Sequence, residues 1–279
     1  MSEPRYAQYV RQKATRTSLN IPERIHYPFV HMEQDMWGDL GVNANFACSC
    51  VQEPFVMPDL PHAHPYDELL YFFGSDPDHP EKLNAVVEFG IGEEWKKLTF
   101  DTTAVLRFPA NLRHAPVYVR KVDRPFFFGH IMQSSSYAKV DDNAPERVRA
   151  DDVSYSDIVK IPEFKNTGYG AVTLFNGKAQ GVVDTMINLH FITRTASIDR
   201  PPEAKGYNQF SILMGGNPMN IPGFTAEAEI TLGQEAEKQV VDSTTVIHIP
   251  ADLPAKPVSF TKVTAPVCMM SYFVPAENR

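Results

Sequence analysis

The chain has 279 residues, 43% hydrophobic and 22% charged, which is the composition of a globular protein with a substantial core and excludes a fibrous or disordered chain. Its formal net charge is −8, from 26 basic and 34 acidic residues, and no basic stripe is visible, so no nucleic-acid partner is expected. Three cysteines (Cys48, Cys50 and Cys268) are too few for a disulfide framework, and no run approaches the ~18–20 apolar residues that span a bilayer.

The first residues, MSEPRYAQYVRQKATRTS, are polar and carry no apolar signal core, so a soluble, cytoplasmic protein with no membrane partner is expected. Residues 3–15 have a periodicity compatible with helix, and residues 1–29 read as an N-terminal arm that also holds His26, with His31 and Trp37 just beyond it. Cys48 and Cys50 alternate on a predicted strand (NFACSCVQ) as small buried residues. Residues 93–97 (EEWKK) form a charged hairpin or loop. Segments 103–108, 117–119 and 126–132 are short, β-branched or aromatic, and bounded by Pro, Gly, Asn or Asp, the pattern of strands. Residues 141–168 are rich in charge and turn formers and read as a connector, and strands resume in the rest of the chain, as at 244–249.

Sliding the sequence along itself by 141 residues exposes a repeat. Ala85, Glu88, Gly92, Asp101 and Val105 meet Ala226, Glu229, Gly233, Asp242 and Val246. Pro109-Ala110, Leu112, Pro116-Val117, Lys121-Val122 and Pro125 meet their like at 250–251, 253, 257–258, 262–263 and 266. The register runs from Pro61 to Pro125 without a gap. The chain is therefore read as two copies of one all-β unit, residues 30–140 and 169–279, each a jelly roll or barrel of short strands.

In the first copy, Pro61-His62-Ala63-His64-Pro65-Tyr66-Asp67-Glu68 holds an H-x-H-x3-E spacing. Side chains alternate along a strand, so His62 and His64 share a face, and Glu68 joins them if the path through Pro65 stays extended. Two imidazoles and a carboxylate on one point make a first-row transition-metal site. The turn Pro109-Ala110-Asn111-Leu112-Arg113-His114 leads into another strand and can add His114.

These residues resemble the two sequence motifs of the cupin superfamily. His62, His64 and Glu68 match G-x5-H-x-H-x3-4-E-x6-G, with Gly74 one residue early and Val56 in place of the leading glycine. Pro109 and His114 match G-x5-P-x-G-x2-H-x3-N, with Thr103, Asn111 and Tyr118 replacing the two glycines and the asparagine. Asparagine tolerates the left-handed region, so Asn111 is a sensible substitute in a turn. The resemblance covers both copies and implies tandem cupin double-stranded β-helix (jelly-roll) barrels, a bicupin. It implies one divalent transition metal per chain, held by His62, His64, Glu68 and His114. The offset carries those four positions to Glu203, Lys205, Gln209 and Ala255, so the second copy loses the ligands. Lys205 at that point would repel a cation. The second copy is then structural, supplies the surface of a homodimer, or holds a metal-free ligand pocket.

Three neutral imidazoles and one carboxylate leave a divalent ion with net charge +1 and an octahedral ion with two open positions. Fe(II) is the favoured metal; Mn, Ni and Zn also suit these ligands. Cupins with such ligands include dioxygenases, decarboxylases, lyases and isomerases. The leading expectation is a non-haem iron dioxygenase acting on a small organic substrate. An O2-independent lyase, decarboxylase or isomerase and a non-catalytic binding protein are the alternatives. Counting by two, Leu70 and Phe72 and then Pro116 and Tyr118 face inward as a substrate wall. Arg107 and Arg113 flank the turn to His114, and Arg107 is a candidate to bind a substrate carboxylate. Tyr118 and His130 are the candidate proton-transfer residues. Tyr66 persists as Tyr207 in the copy without ligands, which points to a structural role.

Overall fold

Residues that alternate polar and apolar side chains become half-buried strands, and those apolar throughout become strands covered on both faces. The computed structural model describes residues 5–15, 25–32, 40, 43–57, 60–135, 137–140 and 148–276, with the backbone alone at 25–29. Trp37 and the side chain of His26 lie outside the described residues. The chain divides into two units, Thr17–Pro162 and a second made of Met1–Arg16 with Glu163–Arg279.

The expected N-terminal helix is a correction. Ala7–Tyr9 form a single 3-10 turn, and β1 (Val10–Gln12) follows as a strand. A strand's backbone hydrogen bonds to the second unit replace those of a helix too short to stand alone.

The first unit contains β2 (Ile25–Met32), β3 (Asn45–Val51), β4 (Phe55–Val56), β5 (Glu68–Phe73) and β6 (Lys82–Ile91). It continues through β7 (Lys96–Thr102), β8 (Ala104–Phe108), β9 (His114–Val122), β10 (Phe126–Met132) and β11 (Val159–Lys160). One sheet runs β11-β8-β5-β10-β3-β2, the other β4-β9-β6-β7. β6 alternates buried Leu83, Ala85, Val87 and Phe89 with more exposed neighbours. Those side chains meet Leu70, Phe72, Leu106, Phe108, Phe126 and Val117 in one continuous core. The strand β2 reaches into the residues read as an arm, and β11 lies in the residues read as connector. Between them α1 (Tyr155–Ile158) is one turn capped by Ser154, whose Oγ accepts from Asp157 N while Asp157 accepts from Ser154 N.

The second unit contains β12 (Glu163–Thr167), β13 (Gly170–Asn176), β14 (Met186–Ile192), β15 (Ala196–Ile198) and β16 (Tyr207–Gly215). Then come β17 (Ala226–Leu232), β18 (Glu237–Val241), β19 (Thr245–Ile249), β20 (Val258–Val263) and β21 (Val267–Pro275). Its sheets run β1-β19-β16-β21-β14-β13-β12 and β15-β20-β17-β18.

The 141-residue offset survives in three dimensions. It carries β8 onto β19 end for end, and the pairing Glu68 with Phe108 becomes Gln209 with Ile249. His130 opposite Leu70 becomes Ser271 opposite Ser211. The β6–β7 hairpin needs positive φ at Gly92 (71°) and Trp95 (56°), and the β17–β18 hairpin repeats it at Gly233 (75°) and Ala236 (54°).

Candidate metal centre

The backbone brings His62 and His114 face to face. His62 N donates to His114 O at 3.0 Å and His114 N to His62 O at 2.9 Å, a closed antiparallel bridge. Asn111 adopts φ 67°, as expected of a residue replacing a turn glycine, and its N donates to His64 O at 2.8 Å. That bond ties the turn before His114 to the segment carrying the other two histidines.

Each imidazole is oriented by a main-chain carbonyl. The Nδ1 atoms of His62, His64 and His114 lie 2.7 Å from Leu60 O, 2.6 Å from Ala138 O and 3.0 Å from Leu112 O. A carbonyl only accepts, so each Nδ1 carries the proton and each Nε2 keeps its lone pair. Ligating nitrogens of the three rings lie within 4.8 Å of one another. Glu68 Oε2 sits 2.8 Å from His114 Nε2 and 3.4 Å from His64 Nε2, and all four side chains are buried. Neither of those two Nε2 atoms has a hydrogen-bond partner. A lone pair facing a carboxylate in a buried space is repulsive until a cation lies between them, and this donor set is one that a divalent metal fits.

The charges agree. Burial works against ionised Glu68, but His114 and His64 outweigh it and hold the carboxyl well below its usual range. Burial, with repulsion from His114, lowers His62 to about 4, so it is a neutral ligand at pH 7. Burial also opposes a proton on His64, but the adjacent Glu68 raises its affinity for one overall.

The remaining predicted residues separate. Leu70 faces the interior between Leu106 and His130, one row from Glu68. Phe72 lies one row deeper, 5.0 Å from both Phe100 and Phe128, and fills the core instead of lining a wall by the metal ligands. Arg107 is a correction: it is on the opposite face of β8 from Leu106 and Phe108. Its Nε donates to Asp67 Oδ2 at 2.9 Å, and the other Asp67 oxygen accepts from Ala110 N. The guanidinium clamps the turn and is not presented to a substrate at the histidines.

Tyr118 is a second correction. Its ring lies under the Arg120 guanidinium at 4.3 Å, opposite half-exposed Val56 and the surface residue Glu88, on the outer face of its sheet. The cause is a bulge: Phe89 pairs with Val117 but Ile91 pairs with His114, so β9 holds one extra residue there and its side chains change face. The inward residues after His114 are Val117 and Val119, not Pro116 and Tyr118.

His130 does face the interior. It lies opposite Leu70, its Nε2 donates to Asn45 Oδ1 at 2.7 Å, and the His31 ring is 6.0 Å away. Burial lowers it to about 4, which keeps it neutral. Cys48 and Cys50 are buried, their thiols pushed up to about 12, which removes them as thiolate ligands at pH 7.

Two residues join the site without a signal at the metal-motif spacing. Tyr137 Oη is 3.0 Å from His62 Nε2, and its ring is 4.9 Å from that of His64. Tyr66 stacks on His64 (5.6 Å, 5°), and its Oη accepts from Ala138 N at 2.6 Å. It thereby steadies the carbonyl that orients His64.

No family model and no curated protein matches the chain. Solved structures do. An oxalate decarboxylase from Lactobacillus farciminis, in a formate complex, aligns at TM-score 0.61 and 9% identity over 96% of this chain and 86% of that one. Vicilin from Corylus avellana (hazelnut) aligns at 0.58 and 14% over 97% and 86%. A Bacillus subtilis oxalate decarboxylase, in work on its Mn(II) centres, aligns at 0.57 and 9% over 95% and 76%. The chain has the bicupin fold.

In the second barrel of this bicupin, Gln209 and Ala255 stand at the positions of Glu68 and His114, while Glu203 and Lys205 are exposed on a 3-10 turn and the residue after it. Among the described residues of that barrel, no three His, Cys, Asp or Glu side chains are placed to share an ion. The expectation that Lys205 repels a cation there is corrected: its side chain is at the surface, and loss of ligands is sufficient reason. Among the described residues no helix is long and apolar enough to cross a membrane.

Proposed function

We propose that the first barrel is a divalent-metal-dependent enzyme acting on a small organic acid, with His62, His64, His114 and Glu68 as metal ligands. The observation that carries this reading is the set of three imidazoles, each with Nδ1 tied to a carbonyl and with ligating nitrogens within 4.8 Å of one another, two of which face Glu68 through Nε2. When bound, a divalent metal supplies Lewis acidity toward a carboxylate or enolate oxygen. Glu68 neutralises one of its charges, and buried Leu70, Leu106 and Met132 keep the adjoining wall dry. His130 donates its Nε2 proton to Asn45, which leaves Nδ1 as the basic atom that accepts a substrate proton.

That polar wall of His130, Asn45 and His31 supports acid–base chemistry, so the reading favoured is an O2-independent lyase, decarboxylase or isomerase. The fold shared with oxalate decarboxylases accords with it, and the Mn(II) centres of the B. subtilis protein make manganese a metal to test beside iron. A non-haem iron dioxygenase is the second reading, supported by the apolar part of the same wall.

The test is turnover of a panel of small carboxylic and keto acids by the Mn(II)- and Fe(II)-loaded protein, with and without oxygen. Anaerobic product formation that His130→Gln reduces by about 100-fold or more supports the reading. Turnover that consumes O2 stoichiometrically supports the dioxygenase instead. Absence of bound metal after loading removes both.

A further inference from the structure

The second barrel has its own cavity, of about 250 Å3, bordered by the counterparts of two of the four metal ligands of the first. Its wall includes buried Gln209 and exposed Ala255, the counterparts of Glu68 and His114, so a methyl group stands where the other copy has an imidazole. Arg200 also lines it. Arg200 Nε donates to Ala204 O at 3.2 Å and one Nη donates to Tyr207 O, so two main-chain carbonyls hold the guanidinium in place. Arg200 is half-buried, and among the described residues no carboxylate pairs with it. Burial with no compensating charge lowers its pKa. Gln209 is buried; its Nε2 donates to Ser211 Oγ at 2.9 Å, and its Oε1 has no partner. Ser211 continues to Ser271 Oγ at 2.8 Å, a polar ladder along what is otherwise barrel core. A buried polar atom left without a partner is unfavourable, and a half-buried guanidinium held beside it with no carboxylate offers a place for an anion.

We propose that this cavity is a binding site for a small organic carboxylate, metal-free and separate from the histidine centre. The planar guanidinium of Arg200 receives the carboxylate by two parallel hydrogen bonds. With its amide turned so that Oε1 accepts from Ser211 Oγ, Gln209 has an NH2 to donate to a carboxylate oxygen. Ile249 and Val258 enclose a short hydrocarbon part. Lys256 and Asp199 are exposed at the mouth, where Lys256 attracts an approaching anion and Asp199 opposes it.

Calorimetric titration of the full-length, metal-loaded protein with butyrate, and separately with inorganic phosphate, tests this. Butyrate is expected to bind and phosphate to bind at least about tenfold more weakly, because the cavity encloses an apolar tail. Arg200→Gln should weaken butyrate by about tenfold or more. Lys256→Glu, at the surface and outside the core, should weaken it several-fold at low salt while the protein stays folded. His62→Ala should leave butyrate affinity unchanged although it removes a ligand of the first barrel. The proposal is overturned if 10 mM butyrate gives no signal, if phosphate binds equally well, or if neither Arg200→Gln nor Lys256→Glu changes binding. It is also overturned if His62→Ala abolishes it.

Discussion

At the residue scale, the metal site depends on hydrogen bonds one layer behind the ligands. Ala138 carbonyl fixes the tautomer of His64, and Tyr66 holds that carbonyl by accepting from Ala138 N. Outer-layer partners of this kind typically change metal affinity 10–100-fold. Tyr66→Phe should therefore weaken metal binding by about tenfold, read by competition with a chromogenic chelator, while the fold persists; unchanged affinity would make Tyr66 a packing residue only. The H-x-H-x3-E spacing and the turn before His114 made the ligand set legible in the sequence, because alternation along a strand and a left-handed asparagine are local properties. Tyr137 was not legible: it reaches His62 from the segment that follows β10, and no spacing relates it to the motif.

At the element scale, counting by two succeeded on β5 and failed on β9. β5 is regular, so Glu68, Leu70 and Phe72 share a face. The extra residue between Val117 and His114 turned Tyr118 outward, and a bulge leaves no mark in an apolar/polar pattern. Arg107 was misplaced for another reason: Asp67 beside the motif is its partner, a pairing between β8 and the segment before β5 that the sequence does not display. The tightest crossing is on β10. A Cβ on Gly129 would meet Ala47 O and the hydroxyl of Tyr71, which donates to that same carbonyl at 2.7 Å. Gly129→Ala should destabilise the protein by about 3 kcal/mol, measured by urea unfolding. A change under about 0.5 kcal/mol would mean that the β3–β10–β5 crossing has slack that the packing does not suggest.

At the scale of the whole molecule, the duplication was readable because the 141-residue register is preserved strand by strand, down to matched positive-φ positions in the hairpins. The N-terminal arm was not, since three residues of strand carry no periodicity. β1 pairs with β19, while Tyr6 N donates to Glu237 at 3.1 Å and Gln12 Nε2 to Val240 O at 3.0 Å. The second barrel also carries a pH liability. Burial lowers His190 and His248 to about 4, against about 6.5 for an exposed histidine. Between those values the unfolded chain binds protons that the folded chain refuses. Stability therefore falls as pH drops from about 6.5 toward 4, by up to about 1.4 kcal/mol per pH unit for each histidine. Urea midpoints at pH 7, 6 and 5 should show this fall, and His248→Leu should lessen it by that residue's share; a pH-independent midpoint would mean that these rings are protonated in the folded state.

The most direct test of the central claim is elemental analysis of protein purified without chelators and then equilibrated with Mn(II) or Fe(II). One metal per chain is expected, falling to near zero in His62→Ala and in His114→Ala and staying at one in Glu203→Ala. Two metals per chain, none, or a loss on changing Glu203 would contradict a single centre built by the four side chains of the first barrel.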